Sequence, residues 1–225
     1  AEEWEGDARD ETEWRDSHFE IRGPAVDALR SAFLSDWRDA GGAMFTDGAV
    51  PDRPRRAGDV TLGVVDGSAQ IELNTAGRAL ECVVAFAQRR LWIATPYFSP
   101  TERLTELLTQ AAGRGVEVRV MIPGPHIDKR VSLIAAKEHA LELVDAGVWF
   151  HRYRPSMLHV KQIVADQTLS MVGSVNFNQR SVHKDEEVAV VAIDHGLNEM
   201  LAADYLEDMA RCDAISDRDH IERSW

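Results

Sequence analysis

Cysteine and long apolar runs are both scarce in this 225-residue sequence. The two cysteines, Cys82 and Cys212, are far apart, so neither a disulfide framework nor a cysteine-rich zinc site is indicated. The apolar residues around Cys82 predict a buried thiol. No stretch approaches the roughly 18 uninterrupted apolar residues of a transmembrane helix, so we expect no membrane span within the sequence.

Positive charge is also in short supply. The sequence has 25 Lys and Arg residues against 38 Asp and Glu residues, and its formal net charge is −13. A surface of this sign repels phosphate backbones, so no nucleic-acid partner is expected. A local cationic pocket for one small anion is still compatible with this composition. The sequence begins at Ala1 instead of methionine, and we expect the natural amino terminus to lie upstream.

The order of strand-like and helix-like segments divides the sequence into three parts. Residues 1–42 combine an alternating strand pattern (SHFEIRG) with an amphipathic helix. Residues 43–58 are rich in Gly, Pro, Asp and Arg, a composition typical of a linker. Residues 59–225 alternate strands and helices before a β-rich stretch, which predicts an α/β layered sandwich with a mixed sheet. One helix is predicted to begin with Ser99 as N-cap and Pro100 in its first turn.

A long-range repeat relates the two ends of the sequence. The segments DSHFEIRGPAVDALRSAFLSDW and EEVAVVAIDHGLNEMLAADYLEDM share an acidic residue, an apolar strand, a break and a helix. Asp16 aligns with Glu187 in this repeat. Any two strand–helix units share part of the pattern, so chance similarity is the alternative. If the repeat is real, residues 1–42 are the tail of a preceding lobe whose body lies outside this sequence.

The segment MLHVKQIVADQTLSMVGSVNFNQRS concentrates the reactive side chains. Residues two apart on a strand point to the same side, so His159 and Lys161 share a face. A turn brings the next strand back alongside the first, and this places Ser174 and Asn176 near them. A histidine, an ammonium, a hydroxyl and an amide predict a pocket for a tetrahedral oxyanion. The lysine would supply charge, the hydroxyl and amide would donate hydrogen bonds, and the histidine would attack or protonate.

Taken singly, these residues also have structural explanations. A lone histidine in a strand is usually a satisfied structural residue, and Lys161 would reach solvent through its long stem. Asp166 fits ordinary turn chemistry, and Gly-Ser-x-Asn fits a loop. The functional interpretation therefore depends on the joint occurrence of these residues at fixed spacing.

The sequence HVKQIVAD resembles the His-x-Lys-x4-Asp motif of the phospholipase D superfamily, and GSVNFNQRS is similar to that family's Gly-Ser-x-Asn segment. The segments WRDSHFEIRGPAV, WIATPYFSP, RGVEVRVMIPGPHID and MLHVK resemble the bacterial cardiolipin synthase branch. The resemblance extends over nearly the whole sequence. It implies a phospholipase D-like α/β/α sandwich: one complete second lobe (59–225), a linker (43–58) and the tail of a first lobe (1–42) whose own motif is missing.

The resemblance also implies roles for individual residues. His159, Lys161 and Asp166 match the motif, and the aspartate has a mainly structural role in the family. Ser174 and Asn176 match residues that line the family's phosphate site.

Two carboxylates complete the implied site. Glu187 falls where the family has a glutamate that is hydrogen-bonded to the catalytic imidazole, and Glu186 takes its place if the register slips by one. Asp16 would then serve the histidine of the absent first lobe. Asn178 and Asp185 stand where the branch usually has Asp and Asn, which leaves the acceptor of the reaction open.

The implied function is phosphatidyl transfer of the cardiolipin synthase type, through a phosphohistidine and without metal or cofactor. The first-lobe histidine would attack the phosphorus of phosphatidylglycerol. His159 would protonate the leaving glycerol and later deprotonate the incoming hydroxyl. The implied partners are a phospholipid, the membrane surface, and the missing first lobe or a second chain. The implied location is the bacterial cytoplasmic membrane, either peripherally on the cytoplasmic side or anchored by upstream segments.

Three alternatives stay open. A phospholipase D-like hydrolase would use water as the acceptor, and nothing in the sequence distinguishes water from an alcohol. A nuclease of the same superfamily is disfavoured by the negative charge. The polypeptide by itself would be a non-catalytic fragment if the other half of the site is required.

Overall fold

The computed structural model describes residues 2–4, 8, 10–43, 54–67, 74–215 and 217–224. Its strands are β1 (Thr61–Asp66), β2 (Arg90–Ala94), β3 (Glu117–Pro123), β4 (Trp149–Tyr153), β5 (Gln162–Ala165), β6 (Leu169–Gly173), β7 (Val188–Ile193) and β8 (Cys212–Ile215). Its α-helices are α1 (Ala25–Asp39), α2 (Thr75–Phe86), α3 (Glu102–Gly113), α4 (Arg130–Val144), α5 (Gln179–His183), α6 (His195–Met209) and α7 (Arg218–Ser224). A short 3-10 helix spans Glu2–Trp4. Residues 44–53 of the expected linker lie outside the described residues.

The described strands form one mixed sheet in the order β1-β7-β6-β5-β2-β3-β4-β8. β2, β3 and β4 are parallel, while the other neighbours pair antiparallel. Because Ala94 at the carboxyl end of β2 pairs with Gln162 at the start of β5, residues just before β5 lie at this end of the sheet. The end of β6 and the start of β7 lie there too, since Gly173 pairs with Ala189. We call this end of the sheet the site edge.

Helices cover both faces of the sheet, as the predicted sandwich requires. On one face, α2, α3 and α4 bury apolar side chains such as Leu80, Leu108 and Leu143 against the strands. On the other face α6 packs through Leu201 and through Tyr205, whose ring stacks on Trp92 at 5.3 Å. The central strands β2 and β5 are buried on both sides, which explains their largely apolar sequences.

Three local predictions are wrong. The N-cap of α3 is Thr101, whose hydroxyl accepts a hydrogen bond from the Leu104 amide at 3.2 Å, and not Ser99. Cys82 is exposed because α2 turns its opposite face to the sheet. The segment SHFEIRG is not a strand: the nearest pairing is one parallel bridge between Arg15 and Leu158, with no further ladder among the described residues.

The amphipathic helix of the first 42 residues forms as α1 but buries none of its residues. Phe33 and Trp37 stack on each other at 6.2 Å and stay 58% and 41% exposed. An apolar helix face normally packs on another element, so this face is unusual for a single folded unit. None of the described helices is long and apolar enough to cross a bilayer.

Candidate active site

His159 and Lys161 lie at the site edge, immediately before β5 rather than within a strand. The tail of the chain holds this segment in place. The Arg15 amide donates to the Met157 carbonyl at 2.8 Å, and the His159 amide donates to the Arg15 carbonyl at 2.7 Å. These two bonds set Asp16, the next residue of the tail, beside the His159 side chain.

The carboxylate of Asp16 pairs with the imidazole of His159. Asp16 Oδ2 lies 3.0 Å from His159 Nδ1. In the tautomer that carries its proton on Nδ1, this nitrogen donates to the carboxylate, and Nε2 is the ring atom that can accept a proton. The same carboxylate stabilises the charged ring once it forms. This arrangement equips His159 for general acid–base chemistry.

An ion pair fixes the position of Asp16. The guanidinium of Arg15 donates to Asp208 on α6 at 2.9 Å and to the backbone carbonyl of Asp16 at 2.6 Å. Both charged side chains of the pair are largely shielded from solvent. The tail is therefore tied to the second layer of the fold at the point where it meets His159.

Glu187, which was expected beside the imidazole, does not take that place. It precedes β7 and is separated from the His159 segment by β6. Its carboxylate accepts a hydrogen bond from the Ser181 hydroxyl at 2.5 Å. Burial raises the pKa of Glu187, and hydrogen bonds from Ser174 and Ser181 act in the opposite direction. Asp16, which was expected to serve an absent histidine, is the carboxylate that contacts His159.

The ammonium of Lys161 sits against the imidazole. Its Nζ lies 2.7 Å from Nδ1 and 3.1 Å from Nε2 of His159, and it donates to the His159 carbonyl. Burial lowers the pKa of Lys161 to about 8, although the carboxylates of Asp16, Glu187 and Asp128 oppose the shift. A bound anion would favour the charged lysine, so this group is suited to holding a phosphate.

The cost of burying Lys161 leads to a stability prediction. The folded-state pKa is about 8 and the unfolded value is 10.5, so the unfolded chain binds more protons between these values and stability from this group rises with pH across that window. We expect Lys161→Met to raise the free energy of unfolding at pH 7 by roughly 1–3 kcal/mol. The gain should shrink as the pH approaches 10.5.

Urea unfolding at pH 7 and at pH 9.5 measures this effect. Lys184→Met, at an exposed position, is the matched control and should change stability by less than about 0.5 kcal/mol at either pH. A loss of stability in Lys161→Met at pH 7 would contradict the idea that the lysine is held for function at a cost to folding.

The two residues expected to bind phosphate lie near this pair but already have partners. The Ser174 hydroxyl accepts from the Val188 amide at 2.9 Å. The Asn176 side-chain nitrogen donates to the Ser181 hydroxyl at 3.3 Å, while its carbonyl oxygen is buried without a partner. A cavity of about 280 Å³ opens beside Ser174 and Lys161, between the tail residues that follow Asp16 and residues of β6 and β7. This cavity offers space for a phosphate group next to the ammonium.

Asp166 is not brought into the site. It occupies the β5–β6 turn at the far end of the sheet with a left-handed φ of 50°. Its carboxylate accepts hydrogen bonds from the amides of Gln88, Arg89 and Arg90 at 2.7–3.2 Å. The motif aspartate therefore fastens the β2 strand to the turn.

Residues 82–210 match the family described as cardiolipin synthase, PLD-like domain. The chain belongs to this family. It is 36% identical over 200 residues to cardiolipin synthase A of Pseudomonas aeruginosa strain PAO1, covering 87% of this chain and 40% of that protein. It is 32% identical over 212 residues to cardiolipin synthase 2 of Bacillus cereus, covering 93% of this chain and 41% of that protein. The chain thus spans about two fifths of the length of these relatives.

Solved structures of phospholipase D relatives share the fold. Nuc of Salmonella typhimurium, a phospholipase D family member, superimposes with a TM-score of 0.59 at 20% identity and covers 71% of this chain and 100% of its own. Phosphatidylserine synthase of Haemophilus influenzae gives a TM-score of 0.57 at 15% identity, with 88% of this chain and 49% of its own covered. The predicted phospholipase D-like sandwich is confirmed.

In this cardiolipin synthase-like domain, sequence reasoning missed an aromatic shell around His159. The imidazole centroid lies 4.7 Å from Trp4, 5.1 Å from Trp14 and 6.5 Å from Tyr97. These rings come from the tail and from the segment after β2, and no spacing rule connects them. Ser181, which bridges Asn176 and Glu187, was also missed, although it lies only five residues after Asn176.

The donor set of the site does not suit a structural or catalytic metal. The described residues contain no group of three or more His, Cys, Asp or Glu side chains close enough to hold an ion. An ammonium 2.7 Å from the imidazole would also repel a cation at that nitrogen. The ammonium instead favours an anion at this point of the site.

Proposed function

We propose that this chain supplies the carboxyl-terminal half of the active site of a phosphatidyltransferase of the cardiolipin synthase type. The observation that carries the proposal is the geometry of His159, with Asp16 on Nδ1 and the Lys161 ammonium beside both ring nitrogens. This geometry provides a proton-transfer group and an anion-binding group at one point. Membership in the cardiolipin synthase family supplies the reaction class.

The reaction would proceed in two displacements at phosphorus. In the first, a histidine from another lobe attacks the phosphorus of phosphatidylglycerol, and His159 donates a proton to the leaving glycerol oxygen. In the second, His159 takes the proton of the incoming hydroxyl, and the phosphorus–nitrogen bond breaks as the new ester forms. Lys161 and Asn176 would hold the nonbridging oxygens, where negative charge builds up in each transition state.

The position of Glu187 fits a role toward that other histidine. Asp16 and Glu187 occupy equivalent positions of the sequence repeat, and Asp16 contacts the histidine of the opposite repeat. If a two-fold axis relates the two repeats, a contact from one carboxylate to the histidine of the other repeat implies the equivalent contact in the opposite direction. We therefore assign Glu187 to the imidazole contributed by the other lobe.

The same relatives support a proposal for the substrate and the location. Those relatives are bacterial cardiolipin synthases, so we propose a phospholipid substrate, with phosphatidylglycerol as donor, and action at the surface of the bacterial cytoplasmic membrane. A hydrolase that uses water is the second candidate, because the site geometry around His159 suits either acceptor.

Product analysis tests the proposal. The chain, joined or co-expressed with an upstream segment that carries another His-x-Lys motif, is incubated with phosphatidylglycerol, with and without added glycerol. Cardiolipin formation that declines when glycerol is added supports phosphatidyl transfer. Phosphatidic acid as the sole product under both conditions identifies a hydrolase instead.

Replacing Asp16 tests the pairing with His159. We expect Asp16→Asn to lower phosphatidyl transfer by about 10²-fold, because the amide no longer stabilises the charged imidazole and can favour the wrong tautomer. The pH–rate profile should shift as well, which a purely structural change would not produce. Asp39→Asn, at an exposed end of α1, is the matched control, and equal activity of Asp16→Asn and Asp39→Asn would remove Asp16 from the mechanism.

Chelation tests the absence of metal from the mechanism. An ammonium, an imidazole, a hydroxyl and an amide are not the ligand set of zinc or magnesium. We expect EDTA to leave turnover of the intact enzyme within about twofold of the untreated rate, which corresponds to a barrier change well below the 1.36 kcal/mol of a tenfold effect. Inactivation that added metal reverses would overturn the proposed chemistry.

A further inference from the structure

The first two turns of α4 expose aliphatic side chains next to the site edge. Val131 and Ile134 are 72% and 63% exposed and lie three residues apart, on one side of the helix. The opposite side of α4 buries Ala136, Ala140 and Leu143. Further along the exposed side, the apolar residues give way to acidic ones.

Two cations adjoin these aliphatic residues. Lys129 and Arg130 are both exposed and directly precede Val131. Their neighbourhood contrasts with a chain whose net charge is −13. We call the four residues Lys129, Arg130, Val131 and Ile134 the α4 tip.

The α4 tip is connected to the candidate active site by specific contacts. The Tyr97 hydroxyl donates to Asp128 at 2.7 Å, and Lys129 Nζ lies 4.8 Å above the Tyr97 ring. The same ring meets the His159 imidazole in a T-shaped contact, with centroids 6.5 Å apart. These contacts fix the position of the α4 tip relative to the candidate active site.

The geometry points to a docking contact between the α4 tip and the surface of an anionic phospholipid bilayer. The aliphatic side chains enter the boundary between headgroups and acyl chains, and the cations contact lipid phosphates. Charge complementarity favours this occupant, because the tip is cationic while the chain as a whole is repelled by anionic lipids. Two aliphatic side chains are too small an area for a stable contact with a second copy, since specific protein interfaces bury on the order of 1,200 Å² or more. The inference rests on the proposed function in one respect: phosphatidylglycerol is chosen as the anionic lipid because it is the proposed donor.

The acidic part of the exposed side limits how the helix can dock. Glu138 and Glu142 follow Ile134 on that side and are exposed. Their charge keeps the second half of α4 away from an anionic surface, so the contact is confined to the amino-terminal end. Docking in this orientation brings the site edge, with His159 and Lys161, toward the lipid headgroups.

Vesicle co-sedimentation of the 225-residue chain tests the inference without any activity measurement. Vesicles of phosphatidylcholine alone are compared with vesicles that also contain phosphatidylglycerol, and protein without vesicles is sedimented in parallel to account for self-association. We expect preferential binding to the anionic vesicles. Val131→Ser with Ile134→Ser should weaken it at least tenfold, and Lys129→Gln with Arg130→Gln about fivefold for each cation removed. Phe86→Ser is the matched control, because Phe86 is also 72% exposed but lies at the opposite end of the sheet.

Several outcomes would overturn the inference. These are no preferential binding by the unmodified chain, equal binding by the tip variants, or an equal loss with Phe86→Ser. A loss of self-association instead of vesicle binding in the tip variants would assign the α4 tip to a second copy.

In the intact enzyme, Val131→Ser with Ile134→Ser should leave turnover of a soluble short-chain phosphatidylglycerol unchanged. Vesicle binding through the α4 tip by an enzyme that makes no cardiolipin would refute the proposed function and leave the docking contact standing.

Discussion

His159→Ala should lower phosphatidyl transfer by the intact enzyme by roughly 10²- to 10⁴-fold, the usual contribution of a positioned acid–base group. The imidazole can both donate and accept a proton at one ring nitrogen while Asp16 holds the other. Both displacements pass a proton through His159, so its removal affects each of them. The loss should appear in kcat with a smaller change in KM, because Lys161 still binds the phosphate.

The fold should survive this change. His159 belongs to the extended segment before β5, and the backbone bonds between this segment and Arg15 do not involve its side chain. His139→Ala is the matched control, since it removes an imidazole from α4 outside the candidate site. Thermal unfolding and circular dichroism of both variants should match the parent. Activity of His159→Ala within a few-fold of the parent would refute its assignment.

A leaving-group experiment refines the assignment. If His159 donates a proton to the departing oxygen, a substrate whose leaving group is already a weak base should depend less on this residue. The His159→Ala variant should therefore recover part of the lost rate with a phosphatidyl nitrophenol ester. An equal loss with both substrates would indicate that His159 acts in a different way, for example only in binding.

The sandwich fold was predictable because its signals are local. Strands such as β2 read as near-continuous apolar runs, and amphipathic helices such as α3 follow them with turn residues between. The misplaced N-cap of α3 shows the limit of such signals: Ser99 and Thr101 are both good caps, and only the path of the chain after β2 decides between them. The strand predicted for SHFEIRG failed for a related reason. Its alternating pattern describes a strand, but a strand forms only where a partner backbone is within reach.

The site was predictable in its residues but not in its pairings. His159 and Lys161 were found from their spacing, and the structure places them together. The carboxylate partner of His159 depends on a contact between residues 143 positions apart, and sequence order carries no information on it. Motif order suggested Glu187, which lies on the same lobe, whereas the structure brings Asp16 across from the tail. The repeat that aligns Asp16 with Glu187 is compatible with two pairings. Each carboxylate could contact the histidine of its own repeat or the histidine of the other repeat, and the sequence does not distinguish these two cases.

The 225-residue chain by itself should show no measurable phosphatidyl transfer. A two-step displacement needs a nucleophile on one side of phosphorus and an acid on the other. Among the histidines, His159 alone is followed by a lysine two positions later. His151 is buried within β4, so its ring is not accessible to a substrate. His126 lies 3.6 Å from Glu11 and does not line the cavity that holds Lys161, so it does not replace the second nucleophile.

The same chain should self-associate. Phe33 and Trp37 on α1 stack on each other and stay 58% and 41% exposed, and exposed apolar patches promote association. Sedimentation velocity should show a concentration-dependent rise in mass, and Phe33→Gln should reduce it. Phe86→Gln, which changes an equally apolar but isolated exposed residue, is the control and should leave the association in place.

Co-expression with an upstream segment that carries a second His-x-Lys motif should restore transfer and suppress self-association together. The reason is that the exposed face of α1 would contact this segment in the complete enzyme and a second copy in its absence. Rescue should require both histidines, so a partner with its motif histidine changed to alanine should bind the chain without restoring activity. A homodimer is the competing route to a complete site, and it would give activity that rises with the square of chain concentration at low concentration. Full activity from a strictly monomeric 225-residue chain would contradict both the missing lobe and the two-histidine mechanism, since a single acid–base group cannot flank phosphorus on two sides.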